Sequence, residues 1–448
     1  MQKEKSQDTH PHRFAHVEIP PRSPPSHTHH VLRDSDREIR DYASPHILDE
    51  LTHVLPVLGQ SIPECEGPSH PETVMNSDKS DQMQKITANR KAEEESHPSF
   101  AEDYGKFNRI LHYDDTNTVE LYKKKVPLSH PTSPAKSPPI HILGILRRNS
   151  TDAVKELYAI KVFRHTHSPV SPDNLPSRTI SLFHPNIVPL VDILYNKQRN
   201  LCLVMPYYAG GDLLSFLWRS WKPKDKPSTE ELDCLAIQIL RGVAFLHENN
   251  IAHGDLRPDH IFLTSRGSVK VGGFGQDEDA IRELATLSDS GNLTSSSEPT
   301  PDTPPDSEDK PILCIRRTVT DASVPYLPPE RFPAQGSRPQ SYAQQDGCDF
   351  RAGDMWACGI ICVLLRSGEL PWPSAQRVNP ENESYAVYLR CRLKEDGFGL
   401  IQALEEHYRN LVYAMLHPDM EARITAEEVL RSEWALEVPA CEIGEKGL

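Results

Sequence analysis

Residues 251–275, IAHGDLRPDHIFLTSRGSVKVGGFG, restrict the fold more than any other stretch. An apolar pair leads into His253-Gly254-Asp255-Leu256, followed by Arg257, Pro258, Asp259 and His260. A short apolar strand, a turn at Ser265-Arg266-Gly267-Ser268 and a second strand then end in Gly272-Gly273-Phe274-Gly275. The clearest helical pattern of the chain stands directly before it, in STEELDCLAIQILRGVAFLHENN. Ser228, with Glu231 three residues on, reads as a capping box. Leu232, Leu235, Ala236, Ile239, Leu240, Val243 and Leu246 make one apolar stripe at helical spacing, which stops at Asn249-Asn250.

Composition bounds what surrounds this tandem. A chain of 448 residues holds one large or two ordinary domains with room for tails. Forty prolines and a mean hydropathy of −0.55 say that a sizeable share does not fold. A net charge of −15 and a pI near 5.8 argue against a nucleic-acid partner and give no polybasic case for membrane binding. The nine cysteines form no C-x-x-C pair; Cys358 and Cys362, one helical turn apart in an apolar run, read as core packing rather than a metal site. An odd cysteine count and no signal peptide point to a reducing, cytoplasmic setting. The longest apolar run, residues 355–365, is shorter than the ~20 residues of a membrane span.

Residues 1–98 are rich in Pro, Ser, His and charge, and are expected to be a disordered tail. Within it, His27, His29 and His30 read as a solvated run more readily than as a metal cluster, and Ile47 to Ile62 as a short segment able to dock. Ser23-Pro24 and Ser44-Pro45 are either proline-directed phosphorylation sites or plain linker. A sheet-rich lobe is expected over 99–207. Its strands fall in YGKFNRILHYDDTNTVELYKKK, IHILGIL (140–146), ELYAIKVF (156–163), HPNIVPLVDIL (184–194) and LCLVMPY (201–207), with a proline-rich insertion at 126–139. A helical lobe is expected over 208–436, interrupted by an acidic, Ser/Thr- and Pro-rich insertion at 277–320 and followed by a tail at 437–448. Its last helix, TAEEVLRSEW, carries a second capping box, Thr425 with Glu428.

The landmarks AIK (159–161), HPNIV (184–188), GGDL (210–213), H-x-D-L-x-P (253–258), K-V-x-x-F-G (270–275), PPE (328–330), D-x-W-x-x-G (354–359), PW (371–372) and Arg423 occur in this order. Together they resemble the protein kinases, whose usual text at the central stretch is HRDLKPEN followed by DFG. The resemblance covers about residues 104–436. It implies an α+β, two-lobed protein-kinase-like fold with a small β-rich N-lobe and a larger helical C-lobe. From GELPWPSA onward the text resembles the fungal nitrogen-permease-reactivator and halotolerance-type Ser/Thr kinases, which regulate plasma-membrane transporters. That implies protein partners in a transporter-regulating pathway, and the short apolar runs predict no transmembrane segment.

Within the family frame the chemistry is depleted. The glycine-rich phosphate turn is replaced by His112 to Val119, which holds no glycine and carries Asp114 and Asp115 toward where phosphates would sit. Lys161 stands at the nucleotide-contacting lysine, but its helical Glu partner is missing near Leu175, beside Pro176; a structural leftover is the other reading of this lysine. Asp255 keeps the place of the catalytic base, or else serves only to hydrogen-bond its own loop. Gly254 replaces the arginine that reads an activation-segment phosphate. His260 and Gly273 replace the two magnesium ligands, so no metal ligand is expected. The framework positions are kept: His253 and Phe274 between the lobes, Asp354 under the loop, the pair Glu330 and Arg423, and Trp356, Pro371 and Trp372 in packing. The expectation is a pseudokinase acting as a signalling scaffold. The alternative is a divergent Ser/Thr kinase that uses ATP and magnesium, with Asp255 as base, Lys161 on the nucleotide, and a metal carboxylate relocated to Asp277, Glu278 or Asp279.

Thr300-Pro301 and Thr303-Pro304 make the acidic insertion a substrate for another kinase, or a cover for a basic surface. Deletion of 280–310 is expected to change partner binding in pull-down assays while leaving the melting temperature of the domain in place. A large drop in that temperature would contradict it.

Overall fold

The computed structural model describes residues 103–113, 117–126, 154–163, 182–273 apart from 197, 199 and 222–225, 313–314, 320–332, 349–376, and 383–447 apart from 439. The tail at 1–98, residues 127–139 and 274–312 (among them Phe274, Asp277, Glu278 and Asp279), the strand expected at 140–146, and Leu175, Asp114 and Asp115 lie outside the described residues; the end of the expected acidic insertion does not, for Leu313–Cys314 forms a short buried strand.

Five antiparallel strands build the small lobe: β1 (Lys106–Tyr113), β2 (Asn117–Val126), β3 (Val154–Phe163), β4 (Asp192–Tyr195) and β5 (Leu201–Pro206). Their order is β1-β2-β3-β5-β4. Alternation along β3 sets two faces. Ile160 and Val162 join Tyr104, Phe107, Ile110, Tyr122, Cys202 and Val204 in one buried cluster. Phe163 turns the other way and joins Leu201 and Leu203 in the main core. Only the end of the 184–194 stretch is a strand. Pro185 and Pro189 have no amide to donate to a ladder. The chain there runs as a loop that touches the hairpin instead, through the bonds Val188 N to Val271 O and Val271 N to Asn186 O, both 2.8 Å.

The large lobe begins with α1 (Leu213–Ser220), capped by Asp212, and α2 (Thr229–Glu248), capped by Ser228 accepting from the amide of Glu231. All seven residues of the expected stripe of α2 are buried. So are Asp233, Cys234, Ile237, Gln238 and Ala244, because the helix is enclosed on several sides rather than lying at a surface. Strand β6 (Ile251–Ala252) pairs in parallel with β9 (Leu313–Cys314), and β7 (Ile261–Leu263) with β8 (Val269–Val271) forms the hairpin. Next come α3 (Phe350–Ser367), α4 (Glu383–Cys391), α5 (Gly399–Gln402), α6 (Glu406–Met415), α7 (Ala426–Leu430), α8 (Glu433–Glu437) and α9 (Glu442–Lys446). The helix expected over 425–434 is in fact two. Thr425 and Glu428 form the full capping box of α7, and Ser432 then captures the amide of Ala435 to start α8. Among the described residues no helix is long and apolar enough to cross a membrane.

Cys358 and Cys362 lie in the core along α3, and burial pushes the Cys362 thiol up to about 12. The segment 440–447 packs back on α2. Cys441 donates its amide to Cys234 Sγ at 3.4 Å, and Arg241 pairs with Glu445 at 2.6 Å. Gly444 lies so close to Gln238 that a Cβ there would come within 2.7 Å of its Cδ. Gln238 Oε1 in turn accepts from Val269 N at 2.9 Å and Asn186 Nδ2 at 3.2 Å.

The Arg423 side chain is fully buried, with bidentate bonds to Glu330 at 2.8 and 3.0 Å and a third to the carbonyl of Ala352 at 2.7 Å. Removing the cation leaves a carbonyl and a mostly buried carboxylate without their partner. Arg423→Ala should cost about 3–5 kcal/mol in urea unfolding, and a loss under about 1 kcal/mol would contradict the arrangement.

Candidate functional site

The loop between β6 and β7 is held by one carboxylate. Asp354, in the first turns of α3, accepts from the amide of His253 at 2.7 Å and from that of Gly254 at 2.8 Å. His247, in the last turn of α2, places Nε2 3.0 Å from the same group. Charge-assisted bonds of this kind contribute ~1.5–3 kcal/mol each. Gly254 then turns with φ +76°. A residue with a Cβ pays ~1–2 kcal/mol in that region, so glycine suits the backbone where the family has arginine.

Two imidazoles fix the loop to the hairpin, and their partners assign their protons. His253 Nδ1 accepts from the amide of Asp255 at 3.3 Å, which leaves Nε2 to donate to the carbonyl of Gly272. His260 has the opposite tautomer. Its Nδ1 lies 2.8 Å from the carbonyl of Asp255 and carries the proton, while Nε2 accepts from the Arg257 guanidinium at 3.4 Å. The amide of Gly272 donates back to the carbonyl of His260 at 2.9 Å.

The Asp255 carboxylate is buried between two groups: Arg257 Nε at 3.5 Å and His260 Nδ1 at 3.3 Å from Oδ2. Arg257 also binds Asp259 at 2.9 Å. The sequence reading gave Arg257 no role. Its signal was available: a cation two residues after the acid, where the family text has lysine. His247 was missed as well, for its contact depends on how α2 and α3 cross. Asp212 is a third omission. It caps α1 by accepting from Ser215 N at 2.7 Å and Ser215 Oγ at 2.9 Å. Burial pushes its carboxyl up to about 6, and the charge of Asp259 adds to the rise.

Lys161 lies on β3, opposite Val119 of β2 and Leu203 of β5. It is buried, with Nζ 5.4 Å from the centroid of the Phe163 ring. The structure therefore groups Asp255, Arg257, His260 and Gly272-Gly273 at one end of the hairpin and sets Lys161 on the sheet.

Magnesium requires hard oxygen donors in a near-octahedral array. Gly273 offers no side chain at one family position. At the other, both nitrogens of His260 are committed, one to Asp255 and one to Arg257. Among the described residues, no group of three or more His, Cys, Asp or Glu is placed to hold a metal ion. These residues do not fit the ion.

Residues 147–435 match the family model described as the protein kinase domain. The chain belongs to the protein kinase family. Serine/threonine-protein kinase hal4 of Schizosaccharomyces pombe is 31% identical over 301 residues, 65% of this chain and 40% of that protein. Serine/threonine-protein kinase HAL4/SAT4 of Saccharomyces cerevisiae is 28% identical over 356 residues, 77% of this chain and 48% of that protein. A probable serine/threonine-protein kinase HAL5-like of Kluyveromyces lactis is 26% identical over 279 residues, 61% of this chain and 31% of that protein. The chain thus spans less than half the length of these three relatives. Homology to fungal HAL4/HAL5-type kinases agrees with the likeness carried by the C-terminal text.

The raised carboxyl of Asp212 has a pH consequence. Between the unfolded value near 4 and the folded value of about 6, the native state holds a proton that the unfolded chain has released. Its contribution therefore lowers stability as pH rises through that window, by on the order of 3 kcal/mol in full. Asp212→Asn, which still offers an oxygen to cap α1, should flatten this slope in urea unfolding between pH 4 and 7. An unchanged slope would show that burial does not govern this group.

Proposed function

We propose that the chain is a pseudokinase: a kinase-fold protein that binds partners and carries out little or no phosphoryl transfer. The observation that supports it is the commitment of His260, whose two ring nitrogens serve Asp255 and Arg257 beside a glycine at the second metal position. Phosphoryl transfer rests on positioned charges around a metal-bound triphosphate. Loss of one preorganised group costs ~10²–10³ in turnover, and here two adjacent ones are absent. The framework bonds of Asp354 and of Arg423 with Glu330 keep the kinase frame in place without chemistry.

Under this reading the folded unit is an N-lobe at 99–207 and a C-lobe at 208–436, preceded by a tail at 1–98 and followed by a segment at 437–448 that packs on α2. The protein acts in the cytoplasm as a scaffold or regulator. Its partners are proteins of a transporter-regulating pathway, in line with the halotolerance-type resemblance. It needs no cofactor and no nucleic acid.

A second reading is favoured by Lys161 on β3 and by the buried Asp255: an ATP-dependent Ser/Thr kinase with displaced metal ligands. In it Asp255 takes the hydroxyl proton of the substrate and Lys161 contacts the phosphates.

The two are separated with the purified chain, ATP and magnesium. The pseudokinase reading expects no magnesium-dependent rise in melting temperature with ATP and no phosphate incorporation. Robust incorporation that Asp255→Asn abolishes would establish the second reading instead.

A further inference from the structure

The two departures at the metal positions occupy the same space. Gly273 has φ +80°. A Cβ built on it would fall 2.4 Å from Cγ, 2.7 Å from Cβ and 2.8 Å from Nδ1 of His260. Separations under about 3 Å lie well inside van der Waals contact, so a side chain at 273 requires that ring to move. The ring is not the loose end of a flexible side chain. Its Nδ1 is bonded to the carbonyl of Asp255 at 2.8 Å, its Nε2 faces Arg257, and its own carbonyl receives Gly272 N at 2.9 Å. His260 is also buried.

We infer that His260 is a plug for this end of the cleft. Its imidazole fills the volume that a side chain at 273 would need, so the two substitutions are one linked replacement that excludes a divalent cation. Restoring either ligand alone leaves the site closed. An aspartate at 273 meets the ring, and an asparagine at 260 faces a residue with nothing to offer a metal. Only the pair reopens it. This inference rests on the reading of the cleft as metal-free and states what keeps it so. It assigns His260 a positioning role on the loop: it holds the Asp255 carbonyl and turns a guanidinium, rather than serving as a ligand.

The test is a cycle of four proteins: the wild type, His260→Asn, Gly273→Asp and the double variant. Melting temperatures without metal or nucleotide read the packing alone. The left-handed backbone at 273 penalises any side chain to a similar extent with either residue at 260, so that contribution cancels in the cycle. Gly273→Asp should melt about 5 °C or more below the wild type, and the double variant should regain most of that loss. Titration with Mn²⁺ alone, followed by the electron paramagnetic resonance of the free ion, should show uptake by the double variant and by neither single one. If Gly273→Asp fails to fold, Gly273→Ala and its combination with His260→Ala report the same overlap.

Equal melting temperatures for the wild type and Gly273→Asp would overturn the inference. So would Mn²⁺ uptake by Gly273→Asp alone, or a double variant that regains its melting temperature yet takes up no Mn²⁺. The cycle uses no nucleotide, so its failure is distinct from that of the pseudokinase reading, which falls on phosphate incorporation by the wild type.

Discussion

A single carboxylate organises the centre of this molecule. Asp354 accepts two consecutive backbone amides from the loop that follows β6, and with them it sets the direction of everything up to β7. A loop of polar residues packed on an apolar core has few ways to satisfy its amides. Here the charge on α3 does so, and His247 on α2 stands beside it. The placement of His253, and through it the carbonyl of Gly272, follows from that anchor. Without it the imidazole would have no fixed base from which to reach the hairpin.

The same anchor serves whether or not the loop performs chemistry. That explains why a kinase frame can persist in a chain whose metal positions are His260 and Gly273. Framework bonds such as Arg423 with Glu330 stabilise the fold directly. Groups that grip a cation contribute to stability only when the cation is bound, and unbound they are an amide and a buried carboxylate with fewer partners. Exchanging them for a packed ring and a glycine removes that carboxylate and puts the His260 ring in the space a side chain at 273 would need.

Much of this was legible in the residues. Ser228 and the stripe of α2, the capping box at Thr425, and the two strands of the hairpin could be read because their signals are local. Asp354 under the loop and Glu330 with Arg423 could be placed by their likeness to a family. What escaped was of another kind. Pro185 and Pro189 in a run rich in Ile, Val and Leu looked compatible with a strand, and the structure keeps the apolar contacts while losing the ladder. Ser432 looked like the interior of a helix because its competing bond to Ala435 depends on a turn that periodicity does not record. The apposition of His260 and Gly273, thirteen positions apart, depends on how the hairpin folds back over its own loop, so each departure was read singly.

The packing of that ring against that glycine also bears on history. Two codons now share one volume. A lineage that sought to recover a cation at this place would first have to pass through a form that is more crowded, or one that is no better equipped, than the present protein. Descent into this state avoids that crowded form only if the aspartate is lost before the histidine is gained, and the ascent gains no complete site from either single step. The cleft is in this sense a ratchet: one single step back is crowded and the other brings no ligand, so neither is rewarded by a bound cation.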